Sequence, residues 1–417
     1  MDLDNQDVNR KIKSYRGREE KWYGELEKGF VEELRRISEG FVDPATGKLV
    51  TAAEFLSWLD LERYPEIFSF YNSLYEGEKW RRDYPDKAMI KSILFFFAGK
   101  FNSVKEEWAH LKEHPKDALL LEFESDNYGK PKLPTYETFR MLFNVRLAKN
   151  DNCEKFFSVF RDVSVRECKS RSVDLSKVGE DAVPLPCAKS DSEAEYSGYY
   201  KMAGWKLDIL LNLNKGAFLP LEFEFLGINE DEGKCFPKSL TTLEACKTFP
   251  EEWWVDGKYA TFENIARAAA SGIVLHYKLA ADWVVKGVTI RDITMKYHRY
   301  WREPNFIADP NFQYMLQFLV EHNHYELVAS PFRDAKFAEY EEAPDSYLDV
   351  CHTRNMDEGF NGHLKEHLRV DWLTKNKKKE KVKVYAALAL TTILAIALTR
   401  LQHGITKNLT SIANIIR

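Results

Sequence analysis

The sequence predicts an α/β protein: a mixed sheet flanked by helices, with an all-helical N-terminal region and an inserted, partly β subdomain. Three observations predict this class. Residues 1–165 repeat apolar side chains at helical spacing. An Asn-Lys-Gly turn then joins two β-leaning apolar runs, "GWKLDILLNL" and "FLPLEFEFLG". After this hairpin, strand and helix signals alternate up to a late helix at 354–367.

In order, residues 1–85 are polar, aromatic-rich and helical in pattern, and "TAAE" at Thr51–Glu54 has the form of a capping box before "FLSWL". "DKAMIKSILFFFAGKF" predicts an apolar helix stopping near Gly99. Ser103 caps a further helix running to about His114, and Pro134 and Thr135 open another in "LPTYETFRMLFNVRLAKN". "SRSVDLS" reads as a short first strand ending near Asp174, before the hairpin. Beyond the hairpin, "PKSLTTLEACKTF" has helical period and "EEWWVD" is a strand ending in Asp256. "TFENIARAAASG" is a helix capped by Thr261 and stopped by Gly272, and "IVLHYKL" is a strand. Residues 280–347 read as an aromatic insertion with some strand. The Lys375–Lys383 run, six lysines in nine residues, reads as an exposed loop or frayed helix end.

Composition narrows the functional classes. At 417 residues the chain is long enough for two or three domains, and 44% hydrophobic with 30% charged residues describes a globular protein. Sixty Lys and Arg against 65 Asp and Glu leave a net charge of −5, so any basic surface is local. The six cysteines, at 153, 168, 187, 235, 246 and 351, form no C-x-x-C pair and suggest free thiols in a reducing compartment. The N-terminus lacks an apolar secretory core. Val384–Thr399, sixteen uncharged residues, is shorter than the ~20 a membrane span needs and is expected to be a buried helix rather than a tail anchor.

The stretch "RNMDEGFNGHLKEH" raises the functional question. On a helical wheel Arg354, Glu358, Lys365 and Arg369 fall within roughly 60° of one another, opposite an apolar stripe of Phe360, Leu364 and Leu368. One carboxylate flanked by cations would then face away from the core. Asp174 and Asp256 are expected at strand ends, where one sheet edge would gather them, and a helix over that edge would add Glu358. Carboxylates so gathered stay ionised only with cations nearby, and hard divalent ions are their natural partners. Two such ions clamp the attacking and leaving oxygens of a phosphodiester.

The C-terminal 250 residues resemble the catalytic domain of prokaryotic insertion-sequence transposases of the DDE class, which have an RNase H-like fold. "SVDLSKV" resembles the first acid block and "WWVDGKYATFENI" the second. "RNMDEGFNGHLKEHL" resembles the third, where one family group carries Tyr-x2-Arg-x3-Glu-x6-Lys; Arg354, Glu358 and Lys365 match it, while Cys351 stands at the Tyr position. The resemblance implies Asp174, Asp256 and Glu358 as catalytic ligands of Mg²⁺ or Mn²⁺, with Asp181 and Asp191 as rivals to Asp174. It implies DNA contacts at Arg354 and Lys365; Arg369, on the same wheel face, is expected to join them, and Gly359 and Gly362 would let a backbone come close. It further implies a helical end-binding region at 1–165, a catalytic domain at 166–417 with an insertion at about 280–347, and partners in transposon-end and target DNA. A homodimer on DNA and a cytoplasmic, nucleoid-associated location, away from membranes, follow from the same likeness. An RNase H-like nuclease without strand transfer and a domesticated DNA-binding relative are the competing expectations.

Overall fold

A computed structural model describes residues 50–76, 84–188, 190–214, 217–277, 310–342, 344–375 and 377–411. The protein is a mixed α/β molecule whose six-stranded mixed sheet is flanked by helices.

The N-terminal part is helical: α1 (Ala52–Ser57), α2 (Pro65–Ser73), α3 (Asp86–Ala98), α4 (Val104–Glu113), α5 (Pro115–Leu120), α6 (Tyr136–Met141) and α7 (Asn152–Ser170). Thr51 closes a capping box with Glu54, and Ser103 and Thr135 cap α4 and α6, each accepting from a backbone N–H three residues on. The predicted helix from Thr135 onward is interrupted, because Leu142–Arg146 widens into a π turn. The expected boundary at 165 falls inside α7, whose Arg161 donates to Glu222 on the sheet at 2.9 Å.

The sheet comprises β1 (Lys177–Pro186), β2 (Glu195–Ser197), β3 (Met202–Asn212), β4 (Pro220–Gly227), β5 (Glu252–Val255) and β6 (Val274–Tyr277). Its main path runs β4-β3-β1-β5-β6, with the short β2 also on β3. β1, β3 and β4 pair antiparallel, whereas β5 and β6 run parallel to β1. Their parallel crossovers are made by α8 (Phe236–Ala245) and α9 (Phe262–Ala270). β3 is buried on both faces, as a strand between two helical layers must be.

The expected first strand is displaced. Residues 171–176 are irregular, and pairing begins only at Lys177. The strand extends through Pro184 and Pro186, which a sequence pattern rejects as strand interior. Both are tolerated because β5 pairs only Lys177–Glu180, leaving the later half of β1 with β3 as its partner.

The C-terminal elements are α10 (Pro310–Glu321), α11 (Tyr325–Glu342), α12 (Pro344–Glu366), α13 (Val370–Thr374) and α14 (Lys379–Gln402). The insertion expected at about 280–347 was read as partly β, but its described part, from 310 on, is helical; residues 278–309 lie outside the described residues. α14 is the one helix among the described residues long and apolar enough to cross a membrane, and 94% of its apolar window is buried inside the protein. It packs chiefly against α7 and α3, and against β4 at the sheet. Thr391, Thr392 and Thr399 return their hydroxyls to carbonyls one turn back, which leaves the Val384–Thr399 part of α14 apolar on every side.

Candidate functional site

The parallel pairing fixes the site. Glu180 of β1 stands beside Val255 of β5, so Asp181 and Asp256 follow as neighbours at the same edge. α12 lies against both strands there. Its Phe360, Leu364 and Leu368 stripe is buried as the wheel requires, with Leu368 just past the helix end. From the opposite face, Arg354 Nη2 stands 3.6 Å from Asp181 Oδ1 and 3.7 Å from Asp256 Oδ2. Asn361 Nδ2 donates to Asp181 Oδ2 at 3.2 Å.

Glu358 lies in α12. Its backbone is on the face that carries Arg354 and Asn361, about one turn from each, since positions i, i+4, i+7 and i+11 align on a helix; its side chain is outside what the structure describes. Lys365 ends this row. Burial lowers the pKa of its ammonium, while the charges of Asp371 and Asp181 pull it back up, which places the lysine in the field of the same acid.

Asp174 is not brought to this edge. It precedes β1, and its backbone carbonyl accepts the amides of Asn214 at 2.9 Å and Asn212 at 3.4 Å, where β3 ends at the opposite edge. Seven residues of largely extended chain separate it from Asp181, roughly 20 Å. Its carboxylate is exposed and accepts from the Ser176 N–H at 2.8 Å, a local turn contact. Asp181, the rival acid, takes the place expected of Asp174. The other rival, Asp191, is buried and accepts the Lys379 N–H at 2.7 Å, satisfying a free donor at the start of α14.

Arg369 also leaves the expected face. α12 ends at Glu366, and Arg369 adopts a left-handed backbone (φ 57°) before α13, with its guanidinium near the Lys100 carbonyl (3.5 Å). An added Cβ at Gly362 would meet open space, so the close approach expected there is not found.

Beneath the acids is a buried polar floor. Asp208 of β3 accepts from the Tyr259 hydroxyl and shares a hydrogen bond with Glu180, whose carboxylate also accepts from Ser239. Burial pushes Asp208 up to about 7, against the opposing bonds from Tyr259, Glu180 and Cys235. The floor thus ties the residue before Asp181 to the residue three after Asp256. Asn361, Glu180 and Asp208 escaped the sequence reading. Asn361 was recoverable, since it lies on the wheel face of Arg354 and Lys365; the buried acids in β1 and β3 gave no periodic signal.

The donor set suits a hard divalent cation, because Asp181 and Asp256 present oxygen ligands side by side and the neighbouring cation is held by both. No group of three His, Cys, Asp or Glu gathers as a metal site among the described residues. No protein-family model, curated protein or solved structure matches the chain.

Proposed function

We propose that the protein is a DDE transposase, an enzyme that cuts DNA at transposon ends and joins the freed 3′-hydroxyl to target DNA, with an RNase H-like catalytic domain. The observation that carries this reading is the double contact from α12. Arg354 and Asn361, on either side of Glu358, both reach Asp181, and Arg354 reaches Asp256 as well. The order of four strands, helix, strand, helix, strand, with two parallel strands added to an antiparallel set, supports the RNase H-like assignment.

The acids of the proposed site are Asp181, Asp256 and Glu358. They would hold Mg²⁺ or Mn²⁺, which when bound supplies charge stabilisation for displacement at phosphorus. Arg354 and Lys365 would exchange their carboxylate neighbours for phosphate oxygens as the DNA strand enters. Transposon-end and target DNA are the proposed partners, and a homodimer on DNA in the cytoplasm is the proposed setting.

The test is incubation of the full chain with DNA carrying the inverted repeats that flank its gene. Cleavage at the repeat ends and joining to a target plasmid, dependent on Mg²⁺ or Mn²⁺ and lost in Asp256→Ala, is expected. Cleavage without joining would assign a nuclease instead, and no cleavage under either metal would overturn the reading.

A further inference from the structure

Around the carboxyl edge of the sheet, a second set of side chains is built toward solvent and has no part in the acid site. The turn joining β2 to β3 overhangs that edge, because β3 runs antiparallel to β1 and starts where β1 ends. Its tip carries Tyr199, 80% exposed, packed edge-on against Tyr200 with centroids 4.9 Å apart. Tyr200 feels the charge of Asp181, and burial is the main cause that raises its own pKa. Lys258, two residues after Asp256, puts its ammonium 5.2 Å from the Tyr199 ring centroid.

Lys258 is held rather than loose. Its Nζ lies 2.9 Å from Glu232 Oε1, and the other oxygen of Glu232 takes Lys206. Glu232 and Lys206 are both buried, 4% and 2% exposed. Burial opposes the charge on Lys258, but the Glu232 bond and charge outweigh it and raise the pKa of the ammonium. The loop carrying Glu232 and the turn carrying Lys258 are locked together: Asn264 Nδ2 donates to Gly233 O at 2.7 Å and Tyr259 O at 2.9 Å. Gly233 is needed for this, since a Cβ there would stand 2.8 Å from the Lys258 carbonyl oxygen. Lys206 alone would neutralise Glu232. The second lysine therefore adds a cation at the rim, fixed in position beside an exposed aromatic face.

A fixed ammonium next to an exposed ring matches an unpaired nucleotide, with phosphate for the cation and base for the ring. Glu232 would share Lys258 with that phosphate, as a carboxylate–lysine–phosphate bridge. We propose that Tyr199 and Lys258 form a single-strand nucleotide subsite on the side of the acid pair opposite α12, gripping the strand beside the bond to be cut. This inference rests on the nucleic-acid reading of the acid site. It adds a contact with a strand whose bases are unpaired there, so single-stranded DNA should depend on these residues more than duplex does.

The experiment is fluorescence-anisotropy titration of the full chain with a labelled oligo-dT and with a duplex of equal length, without divalent metal, over a range of salt. Tyr199→Ala is expected to weaken oligo-dT binding about tenfold, with Tyr199→Phe retaining it and duplex affinity changing far less. Lys258→Gln is expected to lower the slope of log affinity on log salt for oligo-dT by about 0.7, the contribution of one phosphate contact on a single strand. Tyr199 is a solvent-facing turn residue, so its truncation leaves the core intact, and the unchanged duplex affinity serves as the control for folding. If Tyr199→Ala and Lys258→Gln bind oligo-dT like wild type while Arg354→Ala binds weakly, the subsite is wrong and the acid-site reading stands. If the wild-type chain binds neither DNA, both fall.

Discussion

Exchanging the fates of two aspartates is the sharpest test of the site. In Asp181→Asn the side chain keeps its volume, and Asn361 can still bond to the remaining carbonyl oxygen. Arg354 loses one carboxylate at 3.6 Å but keeps Asp256 at 3.7 Å. Both distances are long for an ion pair, so the stability cost should be near 1 kcal/mol. The effect on the proposed metal-dependent cleavage is of another size. Removing a charged ligand from a metal site that stabilises a phosphoryl transition state costs several kcal/mol. At about 1.4 kcal/mol per tenfold, a loss of ~4 kcal/mol slows cleavage roughly 10³-fold. In Asp174→Ala, one exposed turn bond to Ser176 disappears, worth about 0.5–1 kcal/mol. The backbone carbonyl that binds Asn212 and Asn214 survives the substitution. Cleavage of a plasmid carrying the flanking repeats should then stay within about twofold of wild type. The assay is plasmid cleavage in Mg²⁺ at matched folded fraction, checked by thermal denaturation of each variant. An inactive Asp174→Ala beside an active Asp181→Asn would refute the placement of the first acid.

Two further predictions concern stability. His363 on α12 is half-buried, with its Nε2 enclosed and its ring tilted against His367; desolvation, then the charges of His367, Arg400 and Lys100, hold it down to about 3. The fold therefore prefers neutral imidazole, so its contribution is complete above the unfolded value of about 6.5 and is lost as pH falls from there toward 3. Urea midpoints should drop over that window, and His363→Gln should flatten the drop; a variant with the wild-type acid limb would exclude His363 as its cause. Both carboxyl oxygens of Glu107 on α4 are buried with no hydrogen-bond partner among the described residues, and burial pushes its pKa well up. Glu107→Leu should raise unfolding free energy by about 1–3 kcal/mol at neutral pH, more at alkaline pH as the wild-type acid is forced to ionise, and a loss of stability in urea would contradict this.

Much of the fold was legible because local chemistry and tertiary structure agree. The capping residues Thr51, Ser103, Thr135 and Thr261 all start helices where the sequence puts them, and Gly272 stops α9 in the left-handed conformation (φ 72°). The hairpin of β3 and β4 and the strands before Asp256 and at Val274–Tyr277 were equally clear. The partners of α14 were not. An apolar stretch reveals that it is buried but not by what, and α14 spends most of its surface on the N-terminal helices. The boundary expected at 165 had the same origin: composition shifts there, but α7 continues through it and bonds to β4.

The candidate site shows where sequence patterns stop being informative. The α12 face was readable because a helix imposes its period regardless of surroundings, and Arg354 and Lys365 keep their places on it. Arg369 fails for a local reason, since the period holds only while the helix does, and α12 ends three residues earlier. Asp181 failed for a deeper one. "VGEDAVPLP" contains adjacent acids and two prolines, each of which argues against a strand interior. Yet the position works: Glu180 points into the buried floor with Asp208, Tyr259 and Ser239, so the alternation of a strand sends Asp181 to the other side, toward α12. Glu180 is thus a buried carboxylate anchoring the strand, while Asp181 is the one presented to Arg354 and Asn361.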